Sequence, residues 1–471
     1  MHKYKELLLN TGLFAISSVS AKLIGFVLVP LYTFYLSTGE YGITDMSVTV
    51  ITLLTPLCTC SIADAVLRYA LDDKEYRAKY MSIGMWVTVL GLVIVGLLLP
   101  LLDLPFMGGL GHYKVLFWTN FAVSMLQLYF GTVARILNRI KLIPIVSCSS
   151  AICNGICAYF FIAVCNLGIT GYFYSMIISG VVAISIYIAK GHFLSCLNMR
   201  LEGDDKALLK RMVCFSLPLV PNALFWWIGT SLNRFLITSM MGIAASGLFA
   251  AASKIPNLIT MVYQIFQQAW NLSVFQEFRN SDLARFYENI FKFVIAGMSL
   301  VASLLIIASK PIASIVLQKE FFSGWTLMPI LVIAVYCNSL NSFLGTISTA
   351  AMKTKNLFVT TCIGAVLNVI ITWTLIPIFG LVGACLGMAL SNLVTLCMRF
   401  YISLRIMKFN VPWAETVVLF VALSIQAFIS FGNVPYSMAI QVFCLVLVSG
   451  TAVKLLFPFV KHIVKHNGTA K

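Results

Sequence analysis

The chain has 471 residues, 60% of them hydrophobic and only 10% charged, with a mean hydropathy of +0.95. Soluble domains carry about 25% charged residues, so a soluble globular fold is excluded. The net charge of +16 is read as loop charge on a membrane protein, and no nucleic-acid partner is expected.

Apolar runs of roughly 20 residues recur along the whole chain, the length needed to cross a bilayer as helix. They are too long and too continuous for barrel strands, so the fold class is an all-α polytopic membrane protein. The N-terminus reads Met-His-Lys-Tyr-Lys-Glu and then stays apolar through Lys22 to Leu36. That stretch is longer than the apolar region of a signal peptide and is read as an uncleaved first span. Fourteen transmembrane helices are expected, at about 8–36, 41–70, 79–101, 113–137, 143–166, 171–189, 213–240, 246–271, 289–311, 325–350, 357–379, 381–404, 413–432 and 436–459.

The longest charged connection, 190–212, follows the sixth span. It divides the chain into an N-terminal six-helix lobe (1–189), an inter-lobe linker (190–212), a C-terminal six-helix lobe (213–404) and two additional helices with a basic tail (405–471). An even span count places both termini on one side. Of the 32 Lys and Arg, 26 then fall on that side, three on the other (Lys114, Lys310, Lys319) and three inside spans (Lys22, Arg234, Lys254). This asymmetry predicts cytoplasmic termini and a cytoplasmic 190–212 segment.

Two stretches suggest an internal repeat. "GITGYFYSMIISGVV" from Gly168 joins spans five and six; "GLVGACLGMALSNLV" from Gly380 joins spans eleven and twelve. They share both glycines, Met176 with Met388, Ser179 with Ser391 and Val182 with Val394. A six-span offset preserves orientation, so the lobes are expected to be related by a pseudo-twofold along the membrane normal.

The polar residues inside spans form stripes. Lys254, Asn257, Gln264 and Gln268 lie on one face of span eight, and Asn222, Thr230, Asn233 and Arg234 line span seven. Asn10, Ser17, Ser18 and Lys22 cluster in span one, and spans ten and eleven add Asn338, Asn341, Ser342, Thr361, Asn368 and Thr372. Such residues can glue helices together. Three intramembrane cations are a harder problem, costing together on the order of 9 kcal/mol to insert. Asp45 and Asp64 are the available carboxylates, but Arg68 lies beside Asp64, so an even pairing is not offered. The expectation is a solvated, cationic central cavity between the lobes, suited to an anionic ligand. Lys22, Arg234 and Lys254 are its candidate binding residues. Asp64, Arg68, Asn222, Asn233, Asn257, Gln264, Gln268, Asn338 and Asn368 are its candidate lining. Eight prolines in or near spans, among them Pro56, Pro218, Pro256 and Pro377, are expected to kink or break helices. The 13 cysteines show no metal-ligand pairing; no metal and no cofactor are expected.

The stretches "NTGLFAISSVSAKLIGFVLVPLYTFYLSTGEYGITDM", "LPLVPNALFWWIGTSLNRFLI" and "SGLFAAASKIPNLI" resemble the polysaccharide-lipid flippases. These are the O-antigen, capsule and teichoic-acid repeat-unit exporters of the multidrug/oligosaccharidyl-lipid/polysaccharide superfamily. The resemblance covers essentially the whole chain. It implies a bacterial inner-membrane protein of two six-helix bundles plus two helices, working by alternating access on an undecaprenyl-pyrophosphate-linked oligosaccharide. Relatives often carry Asp-Arg where this chain has Asn233-Arg234. Membrane lipids surround such a protein; a coupling ion (proton or sodium), a polysaccharide polymerase and a chain-length regulator are partners it could have. A multidrug exporter or a lipid II flippase of the same superfamily is the alternative reading. A membrane-embedded polymerase or glycosyltransferase is the alternative of a different class. It would need paired carboxylates or a sizeable outward loop, and outward acids are sparse: Glu40, Asp103 and Glu320.

Overall fold

The apolar runs fold as helices, and where a helix breaks the cause is local. The computed structural model describes residues 23–191, 205–277, 283–351, 353–431 and 436–468. Each of the fourteen expected spans falls on helix, the first only over its described part, Leu23–Tyr35 (α1). Among the described residues nine helices are long and apolar enough to cross a membrane, and three shorter apolar ones accompany them. The protein is a helical polytopic membrane protein.

The chain packs as two units, one ending at Ala250 and the other starting at Ala251. This boundary of packing lies beyond the 190–212 segment expected as the linker, of which 192–204 is outside the described residues. The reason is that the span following that segment packs onto the second span and the turn after the third.

The first unit contains α1, α2 (Thr38–Cys58), α3 (Ile62–Asp72), α4 (Arg77–Leu98), α5 (Lys114–Ile136), α6 (Leu142–Ala158, continuing as a π-turn to Val164), α7 (Gly168–Gly191), α8 (Asp205–Ser216) and α9 (Leu219–Met241). α2 starts at a capping box: the Ser37 hydroxyl accepts from the Glu40 N–H at 3.2 Å, and the Glu40 carboxylate accepts from the Ser37 N–H at 2.9 Å. The expected second span splits into α2 and α3 just after Pro56, whose missing N–H weakens the ladder there. The seventh starts afresh at Pro218, with α8 before it and α9 after. One apolar cluster joins Met46, Phe117, Phe121 and Phe173; another joins Val66, Tyr80, Tyr129, Tyr187 and Met212. Met212 carries α8 into the second cluster, so the helix leading into span seven is docked on α3 and α4.

α10 (Ile243–Ser253) runs across the boundary of the units. Its Gly247 meets α2 at backbone distance: a Cβ there would lie 1.9 Å from the Thr38 carbonyl oxygen, and one at Gly42 2.2 Å from that of Ile243. No side chain fits at this crossing.

The second unit contains α11 (Asn257–Glu277), α12 (Leu283–Ile307), α13 (Ser309–Val316), α14 (Met328–Ala350), α15 (Thr354–Ile406), α16 (Trp413–Ile429) and α17 (Ser437–Gly468). The expected eighth span is broken at Lys254–Pro256, where Pro256 ends the helical ladder of α10. α15 holds two expected spans, folded at Gly380 with φ +58°. Phe291, Tyr336, Phe343, Leu419, Leu423 and Val448 form one core. The last two helices belong to it: Ser303 of α12 donates to Gln426 of α16 at 2.8 Å, and Gln426 donates to the Gln441 carbonyl of α17 at 3.0 Å.

The repeat seen in the sequence has a structural counterpart in each unit. Gly168 and Gly380 both have positive φ, +54° and +58°. A Cβ at Gly171 would lie 3.0 Å from the Phe161 backbone, and one at Gly383 2.2 Å from the Leu375 carbonyl oxygen. Ser179 donates to the Met176 carbonyl and Ser391 to that of Met388, at 2.9 and 3.1 Å.

Candidate functional site

Arg234 sits in the middle of α9, and its Nε donates to the Asp45 carboxylate of α2 in an ion pair. The two side chains are 20% and 10% exposed. The same two helices are joined by Trp227, whose indole N–H donates to the Thr49 carbonyl at 3.1 Å, and Trp227 stacks edge-on against Phe235. Asp45 and Thr49 are one turn apart on α2, and Trp227 and Arg234 two turns apart on α9, so both contacts lie on the facing stripes.

Of the two carboxylates available to the intramembrane cations, Asp45 is thus the one that pairs with Arg234. Asp45 supplies the carboxylate that Asn233 does not, and Asn233 is itself buried beside it at 2% exposure. The pairing is one-sided. Only Nε is engaged, and among the described residues neither Nη group has a hydrogen-bond partner. A guanidinium has five N–H donors in a planar fork, so its outer fork is free for an anion.

The other expected residues are placed as follows. Arg68 pairs with Asp72 one turn on, at 3.2 Å, and not with the neighbouring Asp64; Arg68, Asp72 and Asp64 are all exposed. Asn222 on α9 and Asn257 on α11 are exposed, and Gln264 is half-buried. Lys254 is half-buried in the turn between α10 and α11 and belongs to the second unit. In that unit Asn338 is exposed, while Asn368 is buried and accepts from Thr372 at 3.3 Å. Lys22 and the side chain of Gln268 lie outside the described residues. No group of three or more His, Cys, Asp or Glu that could hold a metal occurs among the described residues.

The comparisons with known proteins now bear on this arrangement. Residues 7–271 match the polysaccharide biosynthesis protein family, more than half of the chain and the whole stretch carrying Asp45, Arg234 and Lys254. The chain belongs to this family. Its fold is similar to that of lipid II flippase MurJ in an inward closed conformation, with TM-score 0.72 at 14% identity, covering 95% of this chain and 99% of that one. It is also similar to an inward-facing multidrug resistance MATE transporter of the MOP superfamily, with TM-score 0.69 at 14% identity and coverage of 83% and 94%. A Vibrio cholerae MATE transporter, VcmN, in a mutant form matches with TM-score 0.60 at 16% identity and coverage of 86% and 97%. No curated protein matches the sequence. The fold is thus that of flippases and transporters.

For this polysaccharide biosynthesis protein, sequence reading missed one intramembrane cation. Arg399 was counted among loop residues because it stands near the end of an expected span. It lies inside α15, half-buried, bonded to Thr360, Thr361 and the Asn341 carbonyl. The signal in the sequence is its place inside the expected span 381–404, five residues before its end.

Proposed function

We propose that this protein is a flippase. It moves undecaprenyl-pyrophosphate-linked oligosaccharide repeat units from the cytoplasmic to the outer face of the bacterial inner membrane, by alternating access, and it is not an enzyme. Membership of the polysaccharide biosynthesis family supports the class of cargo. The observation that carries the reading is Arg234, a part-buried guanidinium neutralised through Nε alone with its outer fork open.

The chemistry follows from that geometry. Without cargo, Asp45 offsets much of the cost of holding a cation among apolar helices. A pyrophosphate approaching the open fork gains two parallel charge-assisted hydrogen bonds. Two unit charges about 4 Å apart attract by roughly 4 kcal/mol at an effective dielectric of 20. Asp45 competes for the same cation, which weakens the hold enough to allow release. Lys22 and Lys254 are the further cations proposed to take part.

Lipid II carries the same pyrophosphate, so Arg234 alone favours neither cargo, and a multidrug exporter shares the fold. The test is complementation of strains lacking either a repeat-unit flippase or the lipid II flippase. Restored surface polysaccharide in the first, with no rescue of the second, is the expected result. Rescue of the second strain alone would replace repeat units by lipid II as cargo.

A further inference from the structure

Two adjacent tryptophans of α9 do opposite things. Trp227 is buried at 5% exposure and donates to the Thr49 carbonyl of α2 at 3.1 Å. Trp226 is 63% exposed, the most exposed tryptophan among the described residues. Successive residues of a helix point about 100° apart. With Trp227 fixed on α2, Trp226 is therefore turned off to the side of that contact.

Trp226 belongs to a ridge. Asn222, Trp226, Thr230 and Arg234 follow one another at intervals of four residues along α9, an unbroken helix from Leu219 to Met241. Side chains at i and i+4 stand one above the other. The four together span about 18 Å at 1.5 Å per residue. The ridge starts at the exposed Asn222 and ends at Arg234, paired with Asp45 of α2. It presents in turn an amide, an indole, a hydroxyl and a guanidinium. The Thr230 hydroxyl donates to the Trp226 carbonyl at 3.0 Å, which leaves its oxygen to accept.

An exposed ridge suited to lipid has a different composition in this protein. On α17, Met438, Val442 and Val446 stand at the same spacing, and all are exposed and apolar. Lipid offers an amide or a hydroxyl no partner, so polar groups on such a face are costly. An aromatic anchor at the membrane interface would account for Trp226. It does not account for Asn222 and Thr230 one turn to either side.

A sugar fits this ridge. A pyranose ring has a face of C–H bonds, whose positive hydrogens meet the negative face of an indole. Its hydroxyls can pair with a carboxamide that donates and accepts at once. Ligand sites commonly combine aromatic walls with a few placed polar groups in this way. The ridge also continues from the cation proposed above to hold the pyrophosphate. A carrier held at Arg234 can lay its glycan along Thr230, Trp226 and Asn222, toward the end of α9 expected in the cytoplasm.

We propose that Asn222, Trp226 and Thr230 bind the oligosaccharide of the lipid-linked cargo. Trp226 stacks on a sugar ring, and Asn222 and Thr230 bond hydroxyls on either side of it. The inference rests on the flippase reading and adds to it the residues that contact the glycan.

The test is equilibrium binding of two probes to the purified full-length protein in nanodiscs. One is undecaprenyl pyrophosphate; the other is the undecaprenyl-pyrophosphate-linked oligosaccharide extracted from a strain deleted for this protein. Wild type is expected to bind the glycosylated probe more tightly than the bare carrier. Trp226→Ala should weaken the glycosylated probe about tenfold and Asn222→Ala about threefold. Both should leave the bare carrier unchanged, and Trp226→Phe, which keeps an aromatic face, should lie between Trp226→Ala and wild type. Should Trp226→Ala fail to fold, Trp226→Phe and Asn222→Ala carry the test. Equal weakening of both probes would make the ridge a packing or lipid-facing surface and overturn the proposal, as would unchanged binding of both. Equal binding of the two probes by wild type would overturn the sugar ridge and leave the flippase reading standing. Failed complementation alongside intact discrimination of the probes would refute export and keep the sugar site, and binding of neither probe by wild type would remove both.

Discussion

Arg234 of α9 donates through Nε to Asp45 of α2, and both side chains are largely withdrawn from solvent. Loss of either partner strands the other. Removing one member of a buried pair costs roughly 3 to 5 kcal/mol, while replacing both by neutral groups of similar shape is often tolerated. Arg234→Ala is therefore expected to lower both thermal stability and export, and its loss of export alone would not separate fold from function. The double variant Asp45→Asn with Arg234→Gln does separate them. It should unfold close to the wild-type temperature in detergent yet fail to restore surface polysaccharide in a flippase-null strain. Full restoration by the double variant would mean that the pair is structural only.

Gly42 and Gly247 make a different prediction, because what they provide is the absence of a side chain. A Cβ at Gly247 would lie 1.9 Å from a carbonyl oxygen, which no rotamer change relieves. Gly247→Ala and Gly42→Ala should each destabilise the first unit by about 1 to 3 kcal/mol, as overpacking does. Gly39→Ala is the control, since its nearest neighbour would be a methyl of Ile243 at 4.0 Å. A fluorescence-detected melt of the three purified variants checks the order. Equal melting of Gly39→Ala and Gly247→Ala would refute the close crossing.

How far the sequence reveals this depends on the range of the cause. Helix existence follows from apolar run length alone, so every expected span is helical over its described residues. Breaks at Pro218 and Pro256 are equally local. Asp45 is legible as one of two available carboxylates, but its pairing with Arg234 is not, because it joins positions 189 residues apart and no periodicity within α2 or α9 reports on its partner. Arg399 escaped for a related reason. Near a span end, composition cannot tell a cation that reaches water from one that neighbouring helices enclose. The packing boundary at Ala250 is a property of how α9 lies on α2, and no composition shift marks it.

The repeat gives a paired prediction. Gly168 and Gly380 both adopt left-handed φ at the turn between two antiparallel spans. An L-residue there pays about 1 to 2 kcal/mol. Gly168→Ala and Gly380→Ala should lower the melting temperature by similar amounts. At Gly168 the added methyl would also meet the Glu40 carboxylate at 2.8 Å, so any inequality should fall on that side. A harmless Gly380→Ala would refute the strained turn.

Topology is the last prediction, and it decides the direction of the proposed transport. Most basic residues are expected on the side of the termini, which the positive-inside rule predicts to be the cytoplasm. Lys206 on α8 and Lys319 in the turn before α14 are exposed, one on each expected side. On a cysteine-depleted background, Lys206→Cys should resist a membrane-impermeant maleimide in intact spheroplasts and label after permeabilisation. Lys319→Cys should label in both. The reverse pattern would invert the protein in the membrane. The open fork of Arg234 would be unaffected by that inversion, but the cytoplasmic-to-outer direction of transport would lose its basis. Equal labelling of both positions in intact spheroplasts would contradict any topology that places α8 and the turn before α14 on opposite faces.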